Sequence, residues 1–278
     1  MKGLVLIDLD KTLIDEQYSI TTKRIFGTIS IMQEGGWTLG LNSDTPLLPL
    51  QEWHNSSPFS SFKGLHPKIN GPIIAEKGAL VQFTDGTRIA LSNAQEIIMQ
   101  TKEMLVKKFV SISENTLFIG DATEFVHVGR WITGYSNVLI ALNNLRQYSL
   151  SFFVRGIRNR YEGLIMDREL FREILGQIQP LIPNELVQSQ SEEYCIFLLH
   201  PRDCNKTQGV AEIITKESYD RVIMIGDSIN DFIDLPNVDT MAVGNAQQAL
   251  KDVAVYVAKE TYSFGVAEIL TRIYRGEV

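Results

Sequence analysis

Cysteine is scarce: in 278 residues only Cys195 and Cys204 carry thiols. Two cysteines supply neither a disulfide framework nor a thiolate zinc site, and such usage suits a reducing compartment. A surplus of positive charge is missing as well. Lys and Arg number 26 against 33 Asp and Glu, a formal net charge of −7. That argues against a nucleic-acid partner, which usually meets a basic stripe. It leaves a phosphate ligand open, because a few local cations or a metal can reverse the field at one site. Long apolar runs are also lacking, and none approaches the length of a bilayer span. The first run, LVLI at residues 4–7, is too short for a secretory signal and is cut by Asp8. No membrane partner is expected, and the expected location is cytoplasmic. Internal repeats and low-complexity segments are absent, and nothing in the chain fixes its oligomeric state.

What is present reads as a globular protein, with 44% apolar and 21% charged residues and length enough for two modest cores. Thr21 and Thr22 can cap a helix that buries Ile25, Ile29 and Met32 and stops at Gly35-Gly36. The strand WTLGLN then leads to Ser43. Residues 44–71 hold Pro46, Pro49, Pro58 and Pro67 and read as irregular, with one short helix. PIIAEKGALV is a strand, and QFTDGTRIAL is a hairpin around Asp85-Gly86. Ser92 and Gln95 form a capping-box pattern before a helix. The middle mixes the strands VLIALNN, SLSFFVR and YCIFLLH with the amphipathic helix DRELFREILGQI. Strands and helices alternate again toward the end, through GVAEIITK, RVIMIGDS, TMAVG, VAVYVA and GVAEILTRIY. Alternation at both ends predicts a parallel α/β sheet, and the middle predicts an insertion with its own small sheet. The expected division is a discontinuous core of residues 1–90 and 196–278 around an inserted domain of residues 91–195. The crevice between them is the expected site.

Two apolar runs end in acids. LVLI runs into Asp8 and Asp10, and VIMI runs into GDSINDFIDL, with Asp227 and Asp231. Acids seldom end a buried strand for packing reasons. The carboxyl edge of a parallel sheet is where α/β proteins bind ligands. Clustered carboxylates raise one another's pKa unless a cation joins them, and a hard cation with oxygen ligands, such as Mg²⁺, suits them. For each stretch the plain alternative is an exposed turn.

DLDKTL resembles the first motif of the haloacid dehalogenase superfamily of phosphatases, and GDSINDFIDL resembles its fourth. Ser43 and Lys206 stand in order where the second and third belong. IIAEKGALV is similar to a segment of the large-cap subgroup, which includes the Cof-like, mannosyl-phosphoglycerate phosphatase-like and sucrose-phosphatase-like enzymes. The resemblance implies an α/β fold, a Rossmann-like parallel-sheet core with an inserted α+β cap domain. It implies a Mg²⁺-dependent phosphatase of a small phosphorylated substrate, acting through an aspartyl-phosphate. Asp8 would be the nucleophile and Asp10 the general acid and base. Asp8, the Asp10 carbonyl, Asp227 and Asp231 would hold the metal, Asp231 directly or as a hydrogen-bond acceptor behind it. Lys206 would neutralise charge and hold Asp8. Ser43, Asp44, Thr45 and Thr12 would surround the phosphate, and Ser228 and Asn230 would support the acidic loop.

Alternatives accompany several of these. Arg202 rivals Lys206, although a compact ammonium fits beside Asp8 more easily than a planar guanidinium. Thr45 rivals Ser43 as the phosphate contact, and Thr12 can be a simple turn cap. Asp44 stands where many capped relatives have glycine, and its charge is unfavourable there unless it points away or binds the leaving group. Lys11 also stands where the family more often has glycine. In the inserted part His127, Arg130, Arg155, Arg158 and Arg160 are candidate substrate contacts, and Trp131 and Tyr135 a stacking wall. The rival readings of function are a phosphomutase and a binding protein that lost turnover. The intact Asp8/Asp10 pair speaks against the latter.

Overall fold

The computed structural model describes residues 2–17, 19–47, 69–112, 116–119, 138–143, 145–157 and 164–278. In chain order the elements are β1 (Gly3–Ile7), α1 (Arg24–Glu34), β2 (Trp37–Asn42), β3 (Ile73–Ala75), β4 (Leu80–Gln82), β5 (Arg88–Ala90) and α2 (Gln95–Ile112). Next come β6 (Thr116–Ile119), β7 (Val138–Leu142), β8 (Leu150–Ile157), β9 (Leu164–Ile165), α3 (Arg168–Ile178), β10 (Leu186–Ser191) and β11 (Ile196–Pro201). The chain ends with α4 (Lys206–Lys216), β12 (Arg221–Gly226), β13 (Val238–Ala242), α5 (Gln248–Lys251), β14 (Tyr256–Val257) and α6 (Tyr262–Tyr274). These residues form two compact units, one of residues 1–91 and 204–278, the other of residues 92–203.

In the first unit the sheet order is β14-β13-β12-β1-β2-β3-β4-β5. β14 through β3 run parallel, while β3, β4 and β5 are antiparallel neighbours. β1 lies near the middle and is buried along its whole length. That is why it reads as an unbroken apolar run rather than an alternating one. On one face Leu4, Leu6, Ile74 and Met224 join Val210 and Ile213 of α4 in a single core. Elsewhere α1 packs against α6. The chain leaves β1 for β2 on one side and returns to β12 on the other, so the order reverses at β1. Ligands of open α/β sheets bind outside the carboxyl ends of strands at such a switch point.

The expected strand PIIAEKGALV is broken. Glu76, Lys77 and Gly78 have positive φ and form a 3-10 turn between β3 and β4. A Cβ on Gly78 would stand 2.0 Å from the Asn205 carbonyl oxygen, so this turn rests directly against the start of α4. There Asn205 and Gln208 form a reciprocal capping box, and Lys206 is the first helical residue.

The second unit has its own sheet, in the order β10-β11-β8-β7-β6, with β9 paired to β8. Phe109 and Leu105 of α2, Phe152 of β8, Phe171 of α3 and Phe197 of β11 make its core. The Phe109 and Phe152 rings meet edge to face, 5.0 Å between centroids. β11, read as the middle strand YCIFLLH although the expected boundary was drawn at residue 196, pairs on both sides within this second sheet. The return comes at residue 204. β6 and β10 were not expected as strands. For β10, LVQSQS, the reason is physical: it is a polar sheet-edge strand with one fully buried residue, Leu186. Among the described residues no helix is long and apolar enough to cross a membrane.

Candidate active site

Asp8 is the first residue after β1, and its N–H donates to the Ile225 carbonyl at 2.9 Å. That bond extends the β1–β12 ladder and brings Asp8 beside the chain that turns out of β12 at Gly226 and Asp227. Asp8 is only 5% exposed and Asp231 is fully buried. One oxygen from each of Asp8, Asp227 and Asp231 lies within 4.8 Å of the other two. Lys206, 6% exposed, reaches in from the first turn of α4. Its Nζ donates to Asp8 Oδ1 at 2.7 Å and to Asp231 Oδ1 at 2.6 Å. Thr12 Oγ1 donates to the other Asp8 oxygen, Oδ2, at 3.1 Å.

Two of the three carboxylates thus share one buried ammonium, and Asp227 stands beside them. Burial, with the charges of Asp231 and Asp227, pushes the Asp8 carboxyl well above its ordinary range against the pull of Lys206. Burial and then the Asp231 charge push Asp227 up to about 7. Burial alone would lower the Lys206 ammonium, but Asp231, Asp8 and Asp44 outweigh it and hold Lys206 charged well past its ordinary pKa. Excess negative charge on oxygen donors is the environment a hard divalent cation relieves. The donor set fits such an ion, and Asp8 and Asp227 have the carboxylates to hold it.

Asp231 does different work. Besides Lys206 on Oδ1, its Oδ2 accepts from the Asp227 N–H at 3.1 Å, the Ser228 N–H at 3.0 Å and Ser228 Oγ at 3.2 Å. A carboxylate offers about four lone-pair sites, so Asp231 is engaged as the anchor of the acidic loop and of Lys206. Gly226 makes room for it: a Cβ there would stand 2.3 Å from the Asp231 Cβ and 2.4 Å from its Oδ2. Gly226→Ala is therefore expected to cost about 1–3 kcal/mol and most of the turnover. Denaturant unfolding and an activity assay on one preparation check this, and an unchanged midpoint with full activity would show that the loop yields.

Ser43 follows β2, fully buried. Its Oγ accepts from the Thr45 N–H at 3.1 Å, which leaves its own hydroxyl proton to donate. Asp44 and Thr45 are half-buried, and the charge of Asp44 acts on Lys206. Asp10 is exposed. Its carboxylate is not among the three clustered acids, and its charge is felt at Asp227. Asn230 is exposed on the turn after Ser228, and the hydrogen bonds that hold the acidic loop come from Ser228 and the backbone instead. Lys11 has φ +60°, a left-handed backbone that explains why glycine is the commoner residue there.

The rival Arg202 is spent elsewhere, its Nε donating to the Asn184 carbonyl at 2.8 Å. Arg155 is buried, and its guanidinium donates to the carbonyls of Val154 and Tyr194 at 2.8 and 2.6 Å, so it braces the second sheet. His127, Arg130, Trp131, Tyr135, Arg158 and Arg160, and the short helix expected within residues 44–71 for the part beyond Leu47, lie outside the described residues. Sequence reasoning missed the turn after β13. There the Gln247 N–H donates to the Asp227 carbonyl at 2.7 Å, and Asn245 Nδ2 donates to the Lys11 carbonyl at 2.7 Å. A small polar turn ending another parallel strand at the same sheet edge was the signal available.

Comparison with known proteins bears on the family and the fold. The model of the haloacid dehalogenase-like hydrolases matches residues 5–270. The chain is 23% identical to a protein of Sulfolobus acidocaldarius named phosphoglycolate phosphatase, over 100% of this chain and 99% of that one. Among solved structures, one from Thermoplasma acidophilum has a TM-score of 0.64 at 21% identity, covering 98% of both chains. A haloacid dehalogenase-like hydrolase from Bacteroides thetaiotaomicron has a TM-score of 0.65 at 19% identity, over 98% of this chain and 100% of that one.

Proposed function

The chain belongs to the haloacid dehalogenase-like hydrolases, and from that premise we propose a phosphatase that hydrolyses a small phosphorylated metabolite through an aspartyl-phosphate on Asp8. The observation that carries this reading is the Asp8 carboxylate, held at the end of β1 by Lys206 and Thr12 beside Asp227 and Asp231. A nucleophile held in place before the substrate arrives avoids reorganisation during the reaction.

The steps follow from the residues. An Asp8 oxygen bonds to phosphorus as the bond to the ester oxygen breaks, and Asp10 gives its proton to the departing oxygen. Asp10 then takes a proton from water, the water oxygen displaces Asp8 from phosphorus, and inorganic phosphate leaves. Lys206 fixes the orientation of Asp8 and offsets charge on the transferring group. Ser43, with Thr45 beside it, donates to a phosphoryl oxygen, and Thr12 keeps Asp8 in its rotamer. Mg²⁺, held by Asp8, Asp227 and the Asp10 carbonyl, would screen the phosphoryl charge from the attacking carboxylate. We assign substrate choice to the inserted α+β unit. The substrate class is a small ester of the sugar-phosphate or phosphoglycerate type, and the phosphoglycolate phosphatase relative supports an anionic one.

The test is phosphate release across a panel of phosphorylated metabolites. Turnover is expected with Mg²⁺ or Mn²⁺, to vanish in EDTA and to return when the ion is restored. Full turnover after exhaustive dialysis against EDTA would sink the metal-assisted reading. Release from simple monoesters without an added bisphosphate separates a phosphatase from a mutase.

A further inference from the structure

We infer that Asn245 is a positioning residue for the proton-transfer loop, an inference that rests on the phosphatase reading above. Asp10 has to present its carboxyl to the leaving oxygen, yet it is exposed and lies outside the cluster of Asp8, Asp227 and Asp231. The next residue, Lys11, sits in the left-handed region at φ +60°, a conformation unfavourable for a non-glycine residue. Something must hold that peptide. Asn245 Nδ2 donates to the Lys11 carbonyl at 2.7 Å, while its Oδ1 accepts from the Tyr262 N–H at 2.9 Å. The Asn245 amide supplies a donor and an acceptor at once.

The turn carrying Asn245 is itself fixed. The Gly244 N–H donates to the Glu260 carbonyl at 2.7 Å, and a Cβ on Gly244 would stand 2.6 Å from that oxygen. Just after Glu260, at the start of α6, Tyr262 Oη donates to Glu16 at 2.6 Å, and Ser263 Oγ accepts from the Thr22 N–H at 3.0 Å. The start of α6 thus clamps the chain that leaves β1, and Asn245 is the contact one residue from Asp10.

The inference predicts a selective loss. A nitrophenyl phosphate needs little protonation of its leaving oxygen, whereas an alkyl phosphate such as glycerol phosphate depends on it. Asn245→Ala should lower kcat/KM for the alkyl ester by about tenfold or more beyond its effect on the nitrophenyl ester, since misplacing a reacting group by about 1 Å can cost on the order of a hundredfold. Asn245→Asp keeps the acceptor for Tyr262 and replaces the donor to Lys11 with a charged oxygen that cannot bond that carbonyl, so it breaks the same bond if the alanine variant folds poorly. Tyr262→Phe breaks the Glu16 bond of the clamp without touching Asn245 and should leave the ratio of the two esters unchanged. Equal losses on both esters, or none, in both Asn245 variants would overturn the inference. An Asp8→Asn protein that still turns over either ester would instead overturn the reading on which it rests.

Discussion

Asp8→Asn is expected to lose phosphate release by on the order of 10⁴-fold or more while folding at least as stably as the parent. The two effects have opposite signs for one reason. The amide cannot attack phosphorus, so no covalent intermediate forms. Yet the substitution removes one like charge from a buried cluster whose repulsion already pushes the Asp8 carboxyl upward. The amide oxygen can still accept one of the bonds that Lys206 and Thr12 now donate to Asp8. Sites that hold unrelieved charge for catalysis commonly gain stability when it is taken away. Denaturant unfolding without added metal, beside a phosphate assay with Mg²⁺, measures both. A variant that is inactive and also several kcal/mol less stable would mean that Asp8 serves mainly to hold the fold.

Lys206→Met is expected to fail in both respects. Lys206 is the ammonium that meets both Asp8 and Asp231 in the buried cluster. Removing one partner of a buried ion pair typically costs about 3–5 kcal/mol, because the remaining charge is left uncompensated. Here two carboxylates would be left. Turnover should fall with stability, since the orientation of Asp8 depends on the same hydrogen bond. Lys206→Arg keeps the charge but must fit a planar fork into a site with 6% exposure, so most of the activity should still be lost. Denaturation midpoints and phosphate release for both variants check this. A methionine variant within about 1 kcal/mol of the parent would show that the pair behaves like a surface salt bridge.

The two strands that build the site were legible because they are buried on both faces. An apolar run that ends abruptly in acids has few structural reasons to do so, and β1 and β12 both do. Lys206 was legible by position, in NKTQGV before a helix and in order between the two acidic motifs; that it is the first helical residue, behind the Asn205–Gln208 capping box, only the structure shows. The division of labour among the acids was not. Asp227 and Asp231 look alike in GDSINDFIDL, and only the loop geometry shows that Asp231 is occupied by Ser228, the Asp227 N–H and Lys206. Asn245 was passed over for another reason: the polar turn that carries it is visible, but its partner Lys11 is 234 residues away, and no local pattern names so distant a contact. Arg155 misled because an arginine in the inserted part reads as a candidate substrate contact, whereas its guanidinium is bound by carbonyls inside the second unit. β10 escaped because a polar edge strand lacks the apolar alternation by which strands are read.

The central claim is that the Asp8 carboxylate takes the phosphoryl group, and trapping that group tests it most directly. Asp10→Asn keeps the nucleophile but cannot activate water, and removing such acid–base help typically costs about a hundredfold to ten-thousandfold. With a nitrophenyl phosphate and Mg²⁺ the variant should release a burst of nitrophenol near one equivalent and stall as phospho-enzyme. Mass spectrometry of the acid-quenched, digested protein should then place the added phosphoryl group on Asp8, within the peptide that contains LVLIDL. A phosphoryl group on any other residue, or a burst with none on the protein, would contradict the account.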